Sequence, residues 1–159
     1  MKILVTGASG FIGSFIVEEG LARGYEVWAA VRGSSSRKYL SDSRIRFINL
    51  DFGSIENLGV QLASFAADNG RWDYIVHAAG VTKCIDSADF MRINYEGTKN
   101  FVEALDKCNM LPESFIYLSS LSIFGSIREQ QPYTPITEDD VPCPNTAYGK
   151  SKLAAEEFI

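Results

Sequence analysis

Short apolar segments alternate with longer segments of helical pattern along the whole chain, and this alternation restricts the fold more than any other feature. The predicted strands are residues 3–6, 26–32, 46–50, 74–78 and 114–118, and the predicted helices are residues 11–23, 55–69, 89–108 and 146 to the end. Most of the strands are continuously apolar, which is typical of strands buried on both faces of a parallel sheet. Strand–helix units of this kind join through right-handed crossovers. The sequence therefore predicts a doubly wound α/β sheet.

Composition excludes several classes of protein. The chain has 159 residues, about one domain in length, and 46% of them are hydrophobic, which predicts a globular domain over residues 1–159. The net charge of −5 argues against nucleic-acid or anionic-membrane partners, because both need a basic face. No apolar run approaches the roughly 20 residues of a spanning helix. The first residues are typical of a strand and not of a signal peptide, so we expect a cytoplasmic protein.

Cysteine and histidine usage argues against a metal centre. Cys84, Cys108 and Cys143 are odd in number, widely separated and form no C-x-x-C pair, and His77 is the single histidine. This pattern fits neither a disulfide framework nor a zinc site. We expect free, buried thiols and no bound metal.

Three glycines follow the first predicted strand at a spacing of three residues. Gly7 would permit a sharp turn, Gly10 would let backbone approach a pyrophosphate, and Gly13 would let the next helix pack closely on the strand. The N-terminus of that helix offers unpaired N–H groups and a positive dipole end to phosphate. Because the glycines lie between a clear strand and a clear helix, this pattern is a strong indication of dinucleotide binding. A merely tight turn is the alternative.

The segment T-G-A-S-G-F-I-G-S at residues 6–14 resembles the extended branch of the short-chain dehydrogenase/reductase superfamily, which includes nucleotide-sugar epimerases and dehydratases. The resemblance covers the whole chain and implies a Rossmann sheet with strand order 3-2-1-4-5. Members of this branch continue for well over 100 further residues with a C-terminal substrate domain. The resemblance therefore implies that residues 1–159 are an incomplete, N-terminal, cofactor-binding portion. We expect such a portion to bind dinucleotide, to turn over poorly alone, and to expose apolar surface.

A tyrosine and a lysine four residues apart, Tyr148 and Lys152, would share one face of the last helix. Tyrosine is a weak base at neutral pH, and a neighbouring ammonium would favour its phenolate form. Such a phenol could exchange a proton with a substrate alcohol or carbonyl while hydride moves at the adjacent carbon. Residues 145–153 resemble the active-site segment of the extended branch. That resemblance implies that Ser120, five residues before Gly125, bonds the reacting oxygen; ordinary capping at a strand end is the alternative.

Two further segments fit the resemblance. Ala78, Ala79 and Gly80 end the fourth predicted strand, where small residues would let a cofactor approach, while His77 before them is better explained as a structural histidine. Asn94 matches an asparagine that would hold backbone or water near the active site. A surface polar residue is the alternative for Asn94, although asparagine is disfavoured within helices.

The second predicted strand ends without the acidic residue that usually binds the ribose 2′-hydroxyl of NAD. Arg32, Arg37 and Lys38 stand there instead, and guanidinium groups suit a 2′-phosphate. We therefore favour NADP(H), with NAD(H) as the alternative if Arg32 only stacks on the adenine. The resemblance places Asp51 and Phe52 beside the adenine, although Asp51 or Ser54 could equally cap the following helix. The candidate cofactor contacts are Gly7, Ser9, Gly10, Phe11, Ile12, Gly13, Arg32, Arg37, Asp51, Phe52, Ala78, Ala79, Gly80, Tyr148 and Lys152.

The predicted reaction is hydride transfer at a secondary alcohol or ketone, with Ser120, Tyr148, Lys152 and Asn94 as the candidate catalytic residues. The implied substrate is a nucleotide sugar or a related hydroxy or keto compound, and the expected partners are the dinucleotide, this small molecule and a second copy of the chain. A ketone reductase of the dihydroflavonol or 3β-hydroxysteroid type and a non-catalytic dinucleotide sensor are the alternatives. Dehydration is disfavoured, because residues 120–122 lack the acids of the 4,6-dehydratases.

Overall fold

The predicted strands form one parallel sheet in the computed structural model, which describes residues 1–126 and 135–159. The strands are β1 (Lys2–Thr6), β2 (Glu26–Ala30), β3 (Arg46–Ile48), β4 (Tyr74–His77) and β5 (Ser114–Tyr117). They are hydrogen-bonded in the order β3-β2-β1-β4-β5, and every neighbouring pair is parallel. The structure confirms the doubly wound sheet and its strand order.

Four strands, β2 to β5, end earlier than predicted, and for β2 the cause is the end of its partner β1. β1 ends at Thr6, whose partner in the ladder is Ala30, and Gly7 then leaves the sheet with φ +64°. The predicted extension of β2 to residue 32 is therefore wrong. Beyond Ala30 only one sheet-like bond remains, from the Val31 N–H to the Ile48 carbonyl at 3.0 Å.

The helices follow the predicted order with one internal difference. They are α1 (Phe11–Ala22), α2 (Ile55–Asn69), α3 (Ala88–Phe90), a π-helix (Met91–Glu96), α4 (Gly97–Lys107), a 3-10 helix (Leu121–Phe124) and α5 (Ala147–Phe158). The continuous helix predicted over residues 89–108 thus contains a π-helical segment. The glycine and four prolines within residues 122–144 predict a long irregular stretch. Its first three residues lie in the 3-10 helix, and residues 127–134, including Pro132, lie outside the described residues.

The chain divides into two compact units. The first unit comprises residues 1–80 and 100–118, and the second comprises residues 81–99 and 119–159. The first unit contains the whole sheet and two hydrophobic clusters, drawn from alternate residues of the strands. Leu4 and Ile75 pack with Leu58 and Phe101, whereas Val5 packs in the other cluster with α1. Burial of both sheet faces explains why the strands are continuously apolar.

The cysteines are free, as predicted, but the expectation that they are buried is wrong. Cys84 and Cys108 are half-buried, and Cys143 is exposed. Cys108 lies at the end of α4, where its thiol points towards the Gly59 carbonyl at 3.7 Å. In the described ranges, no helix has the length and apolar character needed to cross a bilayer.

Candidate functional site

The glycine turn of the first unit is held by close backbone packing. The Gly10 N–H donates to the Gly7 carbonyl at 2.9 Å, and α1 begins as the Ser14 N–H donates to the Gly10 carbonyl at 3.0 Å. A Cβ on Gly7 would lie 2.6 Å from the Ala78 carbonyl oxygen, and a Cβ on Gly13 would collide with the Gly7 carbonyl. The turn therefore requires glycine at Gly7 for its positive φ and at Gly13 for the close approach.

The first turn of α1 is open towards solvent. The cap residue Gly10 is exposed and extended and offers no side chain to the helix N–H groups. Phe11 is 80% exposed and packs edge-on against Phe15, with ring centroids 5.2 Å apart. Ile12 is also exposed, while Ser9 is half-buried. An uncapped, solvent-facing helix N-terminus behind a glycine turn fits the pyrophosphate of a dinucleotide.

His77 at the end of β4 is a structural residue, as predicted. It is 2% exposed, and its Nδ1 lies 2.8 Å from the Thr6 hydroxyl. The same hydroxyl accepts from the Ala79 N–H at 3.1 Å, so it can donate its own proton to a neutral imidazole. These bonds fix the chain as it leaves β4. Ala78 and Ala79, half-buried, and Gly80, exposed, follow beside the glycine turn.

The two arginines that follow β2 are exposed and remain available to an anion. The Arg37 guanidinium lies over the Phe47 ring, 4.2 Å from its centroid. Arg32 closes a turn, in which its N–H donates to the Ser35 hydroxyl at 3.2 Å and its carbonyl accepts from the Ser35 N–H at 2.9 Å. Among the described residues neither guanidinium is paired with a carboxylate.

Asp51 and its neighbours shape the entry into α2. The Asp51 carboxylate accepts from the Gly53 N–H at 3.1 Å and from the Asn57 side-chain amide at 2.8 Å. The Ser54 hydroxyl caps the helix by accepting from the Asn57 N–H at 3.2 Å. The capping alternative is therefore correct for Ser54. Asp51 itself is exposed, and its contact with the adenine stays a prediction.

Phe52 contributes its ring to the interior of the first unit. It packs edge-on against His77 and Phe101, with centroids 5.5 and 5.1 Å away. Its carbonyl accepts from the Asn100 side chain at 3.1 Å. The aromatic side chain at this position thus supports the end of β4, and its predicted adenine contact stays a prediction.

In the second unit, Ser120 begins the 3-10 helix. Its hydroxyl oxygen accepts from the Ser122 N–H at 3.2 Å. The capping alternative is correct, and it is compatible with function because a capping hydroxyl keeps its proton for donation. The neighbouring Ser119 hydroxyl is buried and has no hydrogen-bond partner within the part of the chain that the structure describes.

Tyr148 and Lys152 both lie on α5, as their spacing predicts. Thr146 caps this helix by accepting from the Gly149 N–H at 3.0 Å. The Tyr148 ring is half-buried and packs edge-on against Phe90, with centroids 5.9 Å apart. Lys152 is 5% exposed, and burial lowers the pKa of its ammonium to about 8, although Glu156 opposes this shift.

Two glycines bring the segment after Ser120 against α5. A Cβ on Gly149 would collide with the Ser122 carbonyl, and one on Gly125 would collide with the Cys143 carbonyl. Gly125 has φ +79°, and the Cys143 N–H donates to the Ile123 carbonyl at 2.8 Å. The 3-10 helix therefore packs directly on the first turns of α5. Within the second unit, this brings together the elements that carry three of the four predicted catalytic side chains, Ser120, Tyr148 and Lys152.

Asn94 lies in the π-helix and is 1% exposed, so the surface alternative is wrong. Its Oδ1 accepts from the Val81 N–H at 2.7 Å, and its Nδ2 donates to the Val81 carbonyl at 3.0 Å. Nδ2 also donates to the Ser151 hydroxyl at 3.1 Å, and this hydroxyl donates to the Tyr148 carbonyl at 2.8 Å. Sequence reasoning missed Ser151, whose only signal is a small polar residue inside a helix next to Lys152.

The parallel sheet and the glycine turn define a Rossmann fold. The chain belongs to the NAD dependent epimerase/dehydratase family, whose model matches residues 3–159. This confirms the family that residues 6–14 and 145–153 indicate.

The relatives include reductases and epimerases. The chain is 31% identical to the GDP-6-deoxy-D-mannose reductase of Pseudomonas aeruginosa, over 99% of this chain and 45% of the relative. It is 29% identical to the UDP-glucose 4-epimerase of Bos taurus, over 99% and 47%. The chain thus spans about half the length of the curated relatives it matches.

Solved structures give the same picture. The UDP-glucose 4-epimerase of Thermus thermophilus in complex with NAD superposes with a TM-score of 0.78 at 26% identity, over 99% of this chain and 49% of that one. The Bordetella bronchiseptica enzyme WbmH in complex with NAD+ gives a TM-score of 0.77 at 28% identity, over 99% and 50%.

Proposed function

We propose that this chain carries the dinucleotide-binding and proton-transfer residues of an enzyme that moves hydride at a secondary alcohol or ketone of a nucleotide sugar. The observation that carries the proposal is α5, where Tyr148 stands four residues before a buried Lys152 and Gly149 admits the segment of Ser120. A buried ammonium one helical turn from a phenol favours the phenolate, which is the form that can take a proton from an alcohol.

The proposed roles follow from the chemistry of each side chain. Tyr148 exchanges the proton of the substrate oxygen, and Lys152 stabilises the negative charge of its phenolate. Ser120 donates its hydroxyl proton to the same substrate oxygen, because its bond from the Ser122 N–H uses only the hydroxyl oxygen and leaves the proton available. Asn94 holds the backbone at Val81. A bound dinucleotide would accept or supply the hydride.

The residues of the first unit fit such a dinucleotide. Only glycine satisfies the packing at Gly7 and Gly13, and the exposed Gly10 leaves the backbone open to a pyrophosphate. Ser9, Phe11 and Ile12 would supply further contacts there. We propose the small residues Ala78, Ala79 and Gly80, beside this turn, as a second group of contacts.

We propose NADP(H) as the favoured dinucleotide, with NAD(H) as the alternative. Arg32 and Arg37 are exposed cations without carboxylate partners in the described ranges, as a 2′-phosphate requires. The solved relatives named above contain NAD, so the preference depends on these two side chains. Arg32→Ala and Arg37→Ala should each weaken NADP(H) binding about tenfold or more and leave NAD(H) binding unchanged.

Arg44→Ala is the matched control for these variants. Arg44 lies in the same connection between β2 and β3, but it is paired with Asp42 at 2.8 Å, so its removal should affect neither dinucleotide. Calorimetric titration with both dinucleotides measures the affinities. Equal affinities for NADP(H) in all three variants and the unmodified protein would refute the preference.

The substrate class is proposed from the relatives, which act on GDP- and UDP-linked sugars by name. The decisive experiment measures turnover of the natural full-length protein on such sugars with either dinucleotide, in the unmodified form and as Tyr148→Phe. Loss of the phenol should lower kcat by about 100-fold or more. Tyr95→Phe is the control, since Tyr95 is a half-buried tyrosine whose ring packs on Phe158.

The outcomes separate the competing classes. If Tyr148→Phe abolishes turnover and Tyr95→Phe retains it, the result supports the proposed enzymatic mechanism. Turnover unchanged by Tyr148→Phe overturns the mechanism. Dinucleotide binding without turnover on any of these sugars, or on ketones of the dihydroflavonol and steroid type, favours a sensor.

We also propose a cytoplasmic location and pairing of two copies of the chain. Both proposals rest on the family resemblance. Cell fractionation tests the first statement, and sedimentation equilibrium of the full-length protein tests the second.

A further inference from the structure

A buried hydroxyl in the second unit connects two elements through consecutive hydrogen bonds. Ser151 is fully buried. Its oxygen accepts from Asn94 Nδ2 at 3.1 Å, and its proton goes to the Tyr148 carbonyl at 2.8 Å. Asn94 is itself fixed by two bonds to the backbone of Val81. The result is a continuous chain of bonds from Val81 to the peptide group of Tyr148.

This series of hydrogen bonds ends in the first turn of α5. A small rotation of that turn would displace the side chain of Tyr148. A serine that bonds a carbonyl one turn earlier usually bends a helix slightly. Here the bond is additionally anchored by Asn94, which lies in a π-helix, a local geometry that often marks functional sites. The Ser151 hydroxyl is thus bonded both to the first turn of α5 and to Asn94 on a different element.

We infer that Ser151 is a positioning residue, which together with Asn94 fixes the orientation of Tyr148 and Lys152 on α5. Ser151 need not touch substrate or cofactor, because its hydroxyl is fully buried and its bonds go to Asn94 and to the backbone. The inference deepens the proposed function and rests on it. Catalytic groups displaced by as little as 1 Å lose about 100-fold in rate, so the effect should appear in kcat.

Ser151→Ala in the natural full-length protein tests this inference. The variant removes one donor and one acceptor, while Asn94 Nδ2 keeps its bond to the Val81 carbonyl, so the fold should be retained. We expect kcat to fall about 10- to 100-fold, with the KM for the dinucleotide within about twofold of the unmodified value.

Ser54→Ala is the matched control. It also removes a serine hydroxyl that bonds helical backbone, but it does so at the cap of α2 in the first unit. It should lower the unfolding midpoint comparably and leave kcat unchanged. A similar loss of kcat in both variants, or an unchanged kcat in Ser151→Ala, would overturn the inference.

A structural measurement decides the matter without turnover. In a crystal structure of Ser151→Ala, the Tyr148 ring should move from its edge-on packing against Phe90, where the centroids lie 5.9 Å apart at 62°. An unmoved ring overturns the inference. If the unmodified protein turns over no sugar nucleotide, the proposed function fails by itself, and this comparison still decides the role of Ser151.

Discussion

Lys152 is a residue at which burial and charge oppose each other. It is 5% exposed, and burial lowers its pKa from 10.5 to about 8. Below pH 8 the folded and unfolded chains both hold the proton, so the folded chain carries a buried charge that destabilises it. Between pH 8 and 10.5 the unfolded chain binds the proton and the folded chain has lost it. The stability contributed by this group therefore rises with pH over that interval.

Lys152→Met should remove this pH dependence. At pH 7 we expect the variant to be more stable than the unmodified protein by on the order of 2–3 kcal/mol, because a buried ammonium is replaced by an apolar group. The difference should shrink from pH 8 upwards and vanish above about pH 10.5. Urea unfolding at a series of pH values measures it. If the variant were less stable than the unmodified protein at pH 7, or if the difference in stability did not depend on pH, the destabilising burial of charged Lys152 would be contradicted.

The spacing and the type of residues in the sequence predict some features of the candidate site but not others. Tyr148 and Lys152 share a helix because they are four apart, and this needs no tertiary information. The burial of Lys152 was not predictable, since it depends on what packs on that face. Asn94 shows the same limit, because only the fold brings Val81 and Ser151 to its amide.

At the scale of the element, two helical glycines should respond to substitution in opposite directions. Gly13 lies in α1, where a Cβ would collide with the Gly7 carbonyl, whereas Gly59 lies in α2 with nothing within 4 Å of an added Cβ. Gly13→Ala should lower the free energy of unfolding by several kcal/mol and weaken dinucleotide binding. Gly59→Ala should raise it by about 0.5–1 kcal/mol, because alanine favours the helix.

The two variants together separate helix propensity from close packing. Thermal and urea unfolding give the stabilities, and titration with dinucleotide gives the affinities. If Gly13→Ala kept both the stability and the affinity of the unmodified protein, the close packing assigned to the turn would be incorrect. A destabilised Gly59→Ala would instead show that α2 needs glycine at this position.

Element types and order were predictable, but their details were not. Continuously apolar strands and a glycine-rich first turn indicated the parallel sheet, and the structure confirms it. The π-helix within residues 89–108 left no mark in the pattern, because one extra residue in a turn changes the hydrophobic spacing only slightly. The end of β2 was likewise hidden, since it depends on where β1 stops.

At the scale of the whole molecule, most of the residues proposed to bind dinucleotide belong to one unit, and those proposed to transfer protons belong to the other. The glycine turn, Arg32, Asp51 and Ala78 lie in the first unit, which contains the sheet and both hydrophobic clusters. Ser120, Tyr148 and Lys152 lie in the second. This division was not evident from the sequence, in which motifs of both kinds follow one another at similar intervals.

We therefore expect residues 1–159 to bind dinucleotide but to turn over nucleotide sugars poorly. The glycine turn and the two arginines proposed for binding lie in the first unit, whereas the relatives that are named as enzymes are about twice as long as this chain. At 100 times its dissociation constant the dinucleotide should stabilise the chain by about 2.7 kcal/mol, which a thermal shift in its presence measures. Arg44→Ala should show the same shift, because Arg44 is paired with Asp42. Full turnover by residues 1–159, or the absence of any shift, would contradict this assignment of binding and catalysis.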